Sequence, residues 1–190
     1  MTARTRLVGI VLATLLGGIS LCQGELSGQE KNPVPKIGEM MLQTIPPKQY
    51  VSGGFETNFK SMVEPVVKTL TALGDGAREK KLGLRGPVLH FYYGAPHRTP
   101  DKAFKMETGF FVPEGTKAFG DFKVRELPEF KCASILYVGP GRRIGDAWQE
   151  LYRSLRAKGL TPTDEERELY LYWEAGESPN NIVQVQVGVK

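Results

Sequence analysis

Polar and apolar side chains alternate strictly through Glu168-Leu169-Tyr170-Leu171-Tyr172-Trp173. A β-strand there presents Leu169, Leu171 and Trp173 on one face and Glu168, Tyr170 and Tyr172 on the other. Similar signals recur along the chain. Strands are expected over 39–45 and 48–53, interrupted at Pro46-Pro47, because proline removes a ladder donor. A helix is predicted from about Asn58, an N-cap, to Leu73, since Met62, Val66, Leu70 and Leu73 recur at helical spacing and Gly74 or Gly76 can end it. Pro65 inside that span requires a later start or a kink. Strands follow over 88–93 and 104–112. The same order then repeats: strands over 122–127 and 130–138 separated by Pro128, a helix over 144–157 with Ile144, Trp148, Leu151 and Leu155 on one stripe, and strands over 168–173 and 182–189. Asp164-Glu165-Glu166-Arg167 reads as a solvated turn.

This order is one unit written twice. Ile45-Pro46-Pro47 corresponds to Leu127-Pro128-Glu129 at a separation of 82 positions, and Leu89-His90-Phe91-Tyr92-Tyr93 to Leu169-Tyr170-Leu171-Tyr172-Trp173 at 80. Met106-Glu107-Thr108-Gly109 corresponds to Val185-Gln186-Val187-Gly188 at 79. The expected class is α+β: duplicated strand-helix-strand-strand modules, with repeat halves at about 39–115 and 120–190.

Alternation also assigns faces. Val183, Val185, Val187 and Val189 should lie under a helix, as should Met106, Thr108 and Phe110, and likewise Leu89, Phe91 and Tyr93. The opposite face would then carry His90, Tyr92, Glu107, Glu168, Tyr170, Tyr172, Gln184 and Gln186, a set too aromatic for a simple solvated face and too polar for a core. Aromatic walls around a few acceptors suit a flat or cationic organic ligand, and Trp148 could add stacking surface. The competing reading is a wet surface whose polar groups bond across neighbouring strands.

The N-terminus changes the setting of this domain. Arg4 and Arg6, the apolar run from Leu7 to Leu21 and Cys22-Gln23-Gly24 follow the order of a secretory signal peptide over 1–24, and the run of about 15 residues is short for a membrane span. Residues 25–38 read as a flexible tether. The expected destination is periplasmic or extracellular, with an uncleaved signal or a lipid on Cys22 as alternative membrane tethers. Loss of Cys22 would leave Cys132 alone, in an apolar strand pattern that points to a buried, inert thiol. Without Arg4 and Arg6, 23 of the 25 basic residues face 21 acidic ones, a net +2 that gives no nucleic-acid footprint. No Cys/His metal spacing, phosphate loop or nucleophile elbow occurs, so no metal or cofactor is expected.

In order, Val124-Arg125-Glu126-Leu127-Pro128, Tyr137-Val138-Gly139-Pro140, Asp146-Ala147-Trp148-Gln149-Glu150-Leu151-Tyr152, Glu168-Leu169-Tyr170 and the closing Val-rich strand resemble the GyrI-like small-molecule-binding family. The resemblance covers nearly all of 39–190. It implies an antiparallel sheet with two helices on one face and a ligand cleft on the other, and binding of bulky aromatic or cationic compounds through an acidic residue and aromatic side chains. Glu168 and Tyr170 match the family's Glu-x-Tyr, whereas Gln184 stands where many relatives carry an acidic residue, leaving Glu107 to compensate. The leading expectation is an exported binding protein for a small aromatic, hydrophobic or amphipathic molecule. The resemblance also implies an enzyme alternative, a hydrolase of strained, cyclopropane-type compounds with Glu168 as base and Tyr170 or Tyr172 orienting the substrate. A haem reading would have to use His90 or His97, neither of which lies in an attachment motif.

Overall fold

A computed structural model describes residues 33–84 and 86–190. The signal peptide expected over 1–24, with its Cys22, and residues 25–32 of the tether lie outside the described residues.

The structure is α+β, a nine-strand antiparallel sheet with two helices. Its elements are β1 (Lys36–Ile37), β2 (Met41–Ile45), β3 (Lys48–Thr57), α1 (Val63–Glu79), β4 (Val88–Tyr93), β5 (Phe104–Phe111), β6 (Lys123–Leu127), β7 (Phe130–Val138), α2 (Ile144–Ala157), β8 (Pro162–Tyr172) and β9 (Ile182–Val189). The sheet runs β1-β7-β9-β8-β4-β5-β3-β6, and β2 pairs β7 beside β1. Lys36 and Ile37, placed in the tether from sequence, pair with Val138 and Tyr137.

The duplication is visible in the pairing. Leu89 lies opposite Leu169, its own counterpart in the repeat, at the β4–β8 junction. At the proline kinks Ile45 pairs with Phe130 and Lys48 with Leu127. The first strand of each half therefore bends at its prolines and crosses to the other half, tying the two ends of the sheet together.

Both helices cover the same face. α2 lays Ile144, Ala147, Trp148, Leu151 and Leu155 over Val183, Val185 and Val187 of β9 and Ala133, Ile135 and Tyr137 of β7. α1 packs Leu73 and Ala77 against Val51, with Phe110 and Val124 alongside. Its start is later than Asn58, whose Oδ1 instead accepts from the amides of Lys60 (2.9 Å) and Ser61 (3.2 Å) in a turn before the helix. Pro65 sits in the first turn, ahead of the first intrahelical bond from Val66 to Met62, so it breaks nothing. Gly74 and Gly76 lie inside α1 rather than ending it. At Gly53 a Cβ would meet Thr69 Cγ2 at 2.5 Å, so the bare backbone lets α1 approach the sheet.

The same argument is stronger at Gly109 in β5, where a Cβ would lie 1.9 Å from the Val51 carbonyl oxygen. Backbone cannot yield as a side-chain tip does. Gly109→Ala is expected to lower stability by about 2–3 kcal/mol, the scale of core overpacking, or to prevent folding. Urea unfolding compared with Gly54→Ala, where the nearest contact is 3.4 Å, measures it.

Candidate functional site

Opposite residues in an antiparallel ladder share a face, so register sorts the polar side chains. Tyr92 pairs with Met106 and Glu166, His90 with Thr108 and Glu168, and Glu168 with Val185. His90, Tyr92, Glu168 and Tyr170 therefore lie under the helices, together with the β5 and β9 residues expected there. Leu89, Phe91 and Leu169 occupy the other face with Glu107, Gln184 and Gln186. The single polar face expected from sequence is thus two faces, and the assignment of β4 and β8 is reversed. Both sides of β4 are buried, because Leu89 and Phe91 join Tyr50 and Leu127 in a core on the face away from the helices. Apolar character at Leu89 and Phe91 consequently does not mark the helix side.

Beneath α2, β8 carries two carboxylates on one face. Glu166 is fully buried and Glu168 is 3% exposed. Glu168 Oε2 accepts from the hydroxyls of Tyr92 (2.8 Å) and Tyr170 (2.7 Å), and Oε1 from Trp148 Nε1 (2.7 Å). Glu166 Oε1 accepts from the Tyr152 hydroxyl, and Oε2 from the backbone amide of His97 (3.2 Å). The His97 ring bridges the pair, with Nδ1 2.5 Å from Glu166 Oε2 and Nε2 3.6 Å from Glu168 Oε1. It stacks on Trp148 at 4.0 Å with 14° between planes, and meets Tyr92 edge-on at 4.9 Å.

Burial pushes the Tyr92, Tyr170 and Tyr152 hydroxyls up, and the adjacent carboxylate, Glu168 for the first two and Glu166 for the third, adds to the shift. They stay protonated and serve as donors. Burial drives His90 the other way, down to about 4, against a smaller upward pull from Glu168. Its ring lies 4.6 Å from that of Tyr170.

Of the residues expected to form the site, the structure brings together His90, Tyr92, Trp148, Glu168 and Tyr170. Tyr172 lies beyond a register shift between Tyr170 and Tyr172 and is exposed. Across the sheet, Glu107 accepts from Arg125 (2.9 Å) and Ser52 (3.1 Å), and Gln186 donates to Gln184 (2.8 Å). Sequence reasoning missed Glu166, Tyr152 and His97. The expected solvated turn at 164–167 is part of β8, where Glu166 and Arg167 are buried. Alternation continued back from Glu168 would have placed Glu166 on its face, but a run of four charges reads as solvent-exposed. Nothing in the sequence signals that His97, a loop residue, reaches the same place.

On the face away from the helices lies an open depression of about 540 Å³, lined by Tyr93, Phe130, Thr163 and Glu165 among others. None of the residues expected to bind ligand lines it. Cys132 is buried and free, with its thiol pushed up to about 11 by burial. Among the described residues no His, Cys, Asp and Glu cluster could hold a metal ion.

Two central carboxylates thus sit in a cage of phenols and an indole, on a duplicated sheet with helices on one side. The chain belongs to the GyrI-like small-molecule-binding domain family, whose pattern it matches over residues 39–190. Among solved structures it resembles the C-terminal domain of EcmrR, with a TM-score of 0.67 and 19% identity over 80% of this chain and 97% of that one. It also resembles a hydrolase encoded by lin2189 from Listeria innocua (TM-score 0.60, 12% identity, 80% and 92% covered). A third likeness is to SAV2435, solved bound to tetraphenylphosphonium (TM-score 0.53, 13% identity, 80% and 94% covered). At these identities the likeness is one of fold. A comparison with curated protein sequences finds no match.

His90 supplies a pH prediction. A histidine whose folded value is depressed stays neutral in the folded protein while the unfolded chain takes up a proton. Its contribution to stability is whole above about 6.5 and is lost as pH falls from there to about 4. The full loss is about 3 kcal/mol. Denaturant midpoints at stepped pH should fall across this window, and His90→Gln should flatten that fall.

Proposed function

We propose that this protein is an exported binding protein for a small aromatic or amphipathic cation, with Glu168 as the charge that selects it. The observation that carries this reading is the balance at Glu168. A buried carboxylate retains its charge only with compensation, and its three closest donors, Tyr92, Tyr170 and Trp148, are all neutral. Among the described residues, the basic side chain within 4 Å of Glu166 and Glu168 is the His97 imidazole, and no lysine or arginine reaches either carboxylate. Aromatic faces around such a carboxylate attract a polarizable cation by both charge and quadrupole. The binding of tetraphenylphosphonium by SAV2435, a protein of the same fold, supports the chemistry. Export rests on the order of charges and apolar residues over 1–24.

The hydrolase reading draws on the naming of the Listeria innocua relative. Here both oxygens of Glu168 are engaged by donors, and Tyr172 stands apart from the cluster. That arrangement suits holding a charge better than accepting a proton from water.

Titration with tetraphenylphosphonium and benzamidinium, followed by tryptophan quenching, tests the binding. Glu168→Gln is expected to weaken the bound cation at least tenfold, about 1.4 kcal/mol. The fold should survive, because an amide oxygen can accept from Trp148 while the tyrosine hydroxyls turn to accept from the amide nitrogen. No saturable quenching by either cation, or equal affinity in Glu168→Gln, would sink the proposal.

A further inference from the structure

The carboxylate cage is already filled, by the chain itself. The loop between β4 and β5 turns inward through Gly94 (φ +82°) and Ala95 (φ +52°), a non-glycine residue in the left-handed region, into a short 3-10 turn over Pro96–Arg98. It delivers His97, whose side chain is only 9% exposed. The loop is pinned at its rim by the Ala95 amide to the Asp164 carbonyl (3.3 Å) and by Arg98 to the Asp164 carboxylate (2.5 Å). That ion pair is well exposed, with Asp164 at 81%, so it is a weak clasp worth little in water. The loop is also held by Arg98 donating to the Thr163 carbonyl (3.2 Å), by the His97 amide on Glu166 Oε2 (3.2 Å) and by the imidazole, whose Nδ1 lies 2.5 Å from the same oxygen.

The contacts of that imidazole are the contacts of a ligand. One flat ring lies parallel to Trp148, and its two nitrogens point to carboxylates on the same strand face two residues apart. Phe59 closes on it at 4.8 Å and Tyr92 at 4.9 Å. A tetrahedral cation such as tetraphenylphosphonium could meet the charge and the ring faces, but no spherical or tetrahedral cation reproduces all of these contacts. A planar cation with N–H donors on two sides, an amidinium, aminoimidazolium or aminobenzimidazolium, does.

Resting on the binding function proposed above, we infer that His97 is an internal surrogate ligand: the β4–β5 loop plugs the cage, and a planar N–H-bearing aromatic cation enters by displacing it. The plug sets a threshold. Apparent affinity equals intrinsic affinity reduced by the fraction of molecules whose loop is out, so a plug open in 1–10% of molecules weakens binding by about ten- to a hundredfold. Removing the imidazole removes that penalty. The exposed Arg98–Asp164 clasp lets the loop leave without breaking the sheet, and the loop's own amides report its departure.

The probes are 2-aminobenzimidazolium and its N,N′-dimethylated analogue, with the full chain in wild-type and His97→Ala forms. His97→Ala is expected to bind 2-aminobenzimidazolium at least tenfold more tightly than wild type, and the dimethylated analogue at least tenfold more weakly than the parent compound. In wild type, hydrogen exchange at Ala95 and His97 should speed up at saturating 2-aminobenzimidazolium, whereas ligand binding elsewhere slows exchange. This second measurement needs no variant, so it decides the matter even where His97→Ala does not fold. Unchanged affinity in His97→Ala with slowed loop exchange, while Glu168→Gln still weakens binding at least tenfold, overturns the plug and leaves the binding function standing. Equal binding of both probes overturns the N–H selectivity. No binding of 2-aminobenzimidazolium by either form, together with failure of the cations tested above, overturns both.

Discussion

Placing two carboxylates on adjacent inward positions of a central strand, beneath a helix, is the constraint around which this molecule is arranged. Desolvating one carboxylate costs several kcal/mol, and a second of the same sign beside it adds repulsion. Glu166 and Glu168 are nevertheless buried, and each neighbouring element contributes to making that tolerable. α2 supplies Trp148 and Tyr152, one donor to each carboxylate. β4 supplies Tyr92, and β8 itself supplies Tyr170. The β4–β5 loop supplies the ring that touches both.

This explains features of the sequence that packing alone does not require. A helix with a purely aliphatic stripe would cover β9 equally well, yet the stripe of α2 includes an indole and a phenol aimed at the sheet. Their polar tips satisfy acceptors that a leucine would leave bare, and their ring bodies remain in the apolar layer. The tyrosines are held protonated by the same burial that makes the carboxylates difficult to place. They can therefore donate without adding charge.

The other face of the sheet is built on different terms. Arg167 lies 3.5 Å from the Phe130 ring centre and 4.4 Å from that of Phe91, with its guanidinium paired to Glu165 at 2.7 Å. Arg125 joins Glu107 over the same Phe91. Both of these arginines have a carboxylate partner of their own, and burial lowers Arg167 from its ordinary value. On the helix side the carboxylates are met by neutral donors and a single imidazole, the imbalance on which the proposed cation selectivity rests.

Element order, the duplication, the span of α2 and the proline kinks were legible from the sequence, because periodicity and backbone restrictions are local properties of the chain. Glu168 and Tyr170 were legible as a pair for the same reason, being two apart on one strand. Which face they occupy was not. A strand buried on both sides has no solvent face to anchor its alternation, and only the register of Tyr92 with Met106 and of Glu168 with Val185 decides it. The membership of the cage was also a tertiary decision. Glu166 is embedded in a charged run that looks solvated, and Tyr152 shares a helix stripe that looks purely structural. His97 arrives from a loop whose path depends on where β8 and α2 have already placed their carboxylates and rings. Sequence determined that a carboxylate and a phenol would share one strand face, and the pairing of distant strands determined that this face would be enclosed and filled by an imidazole.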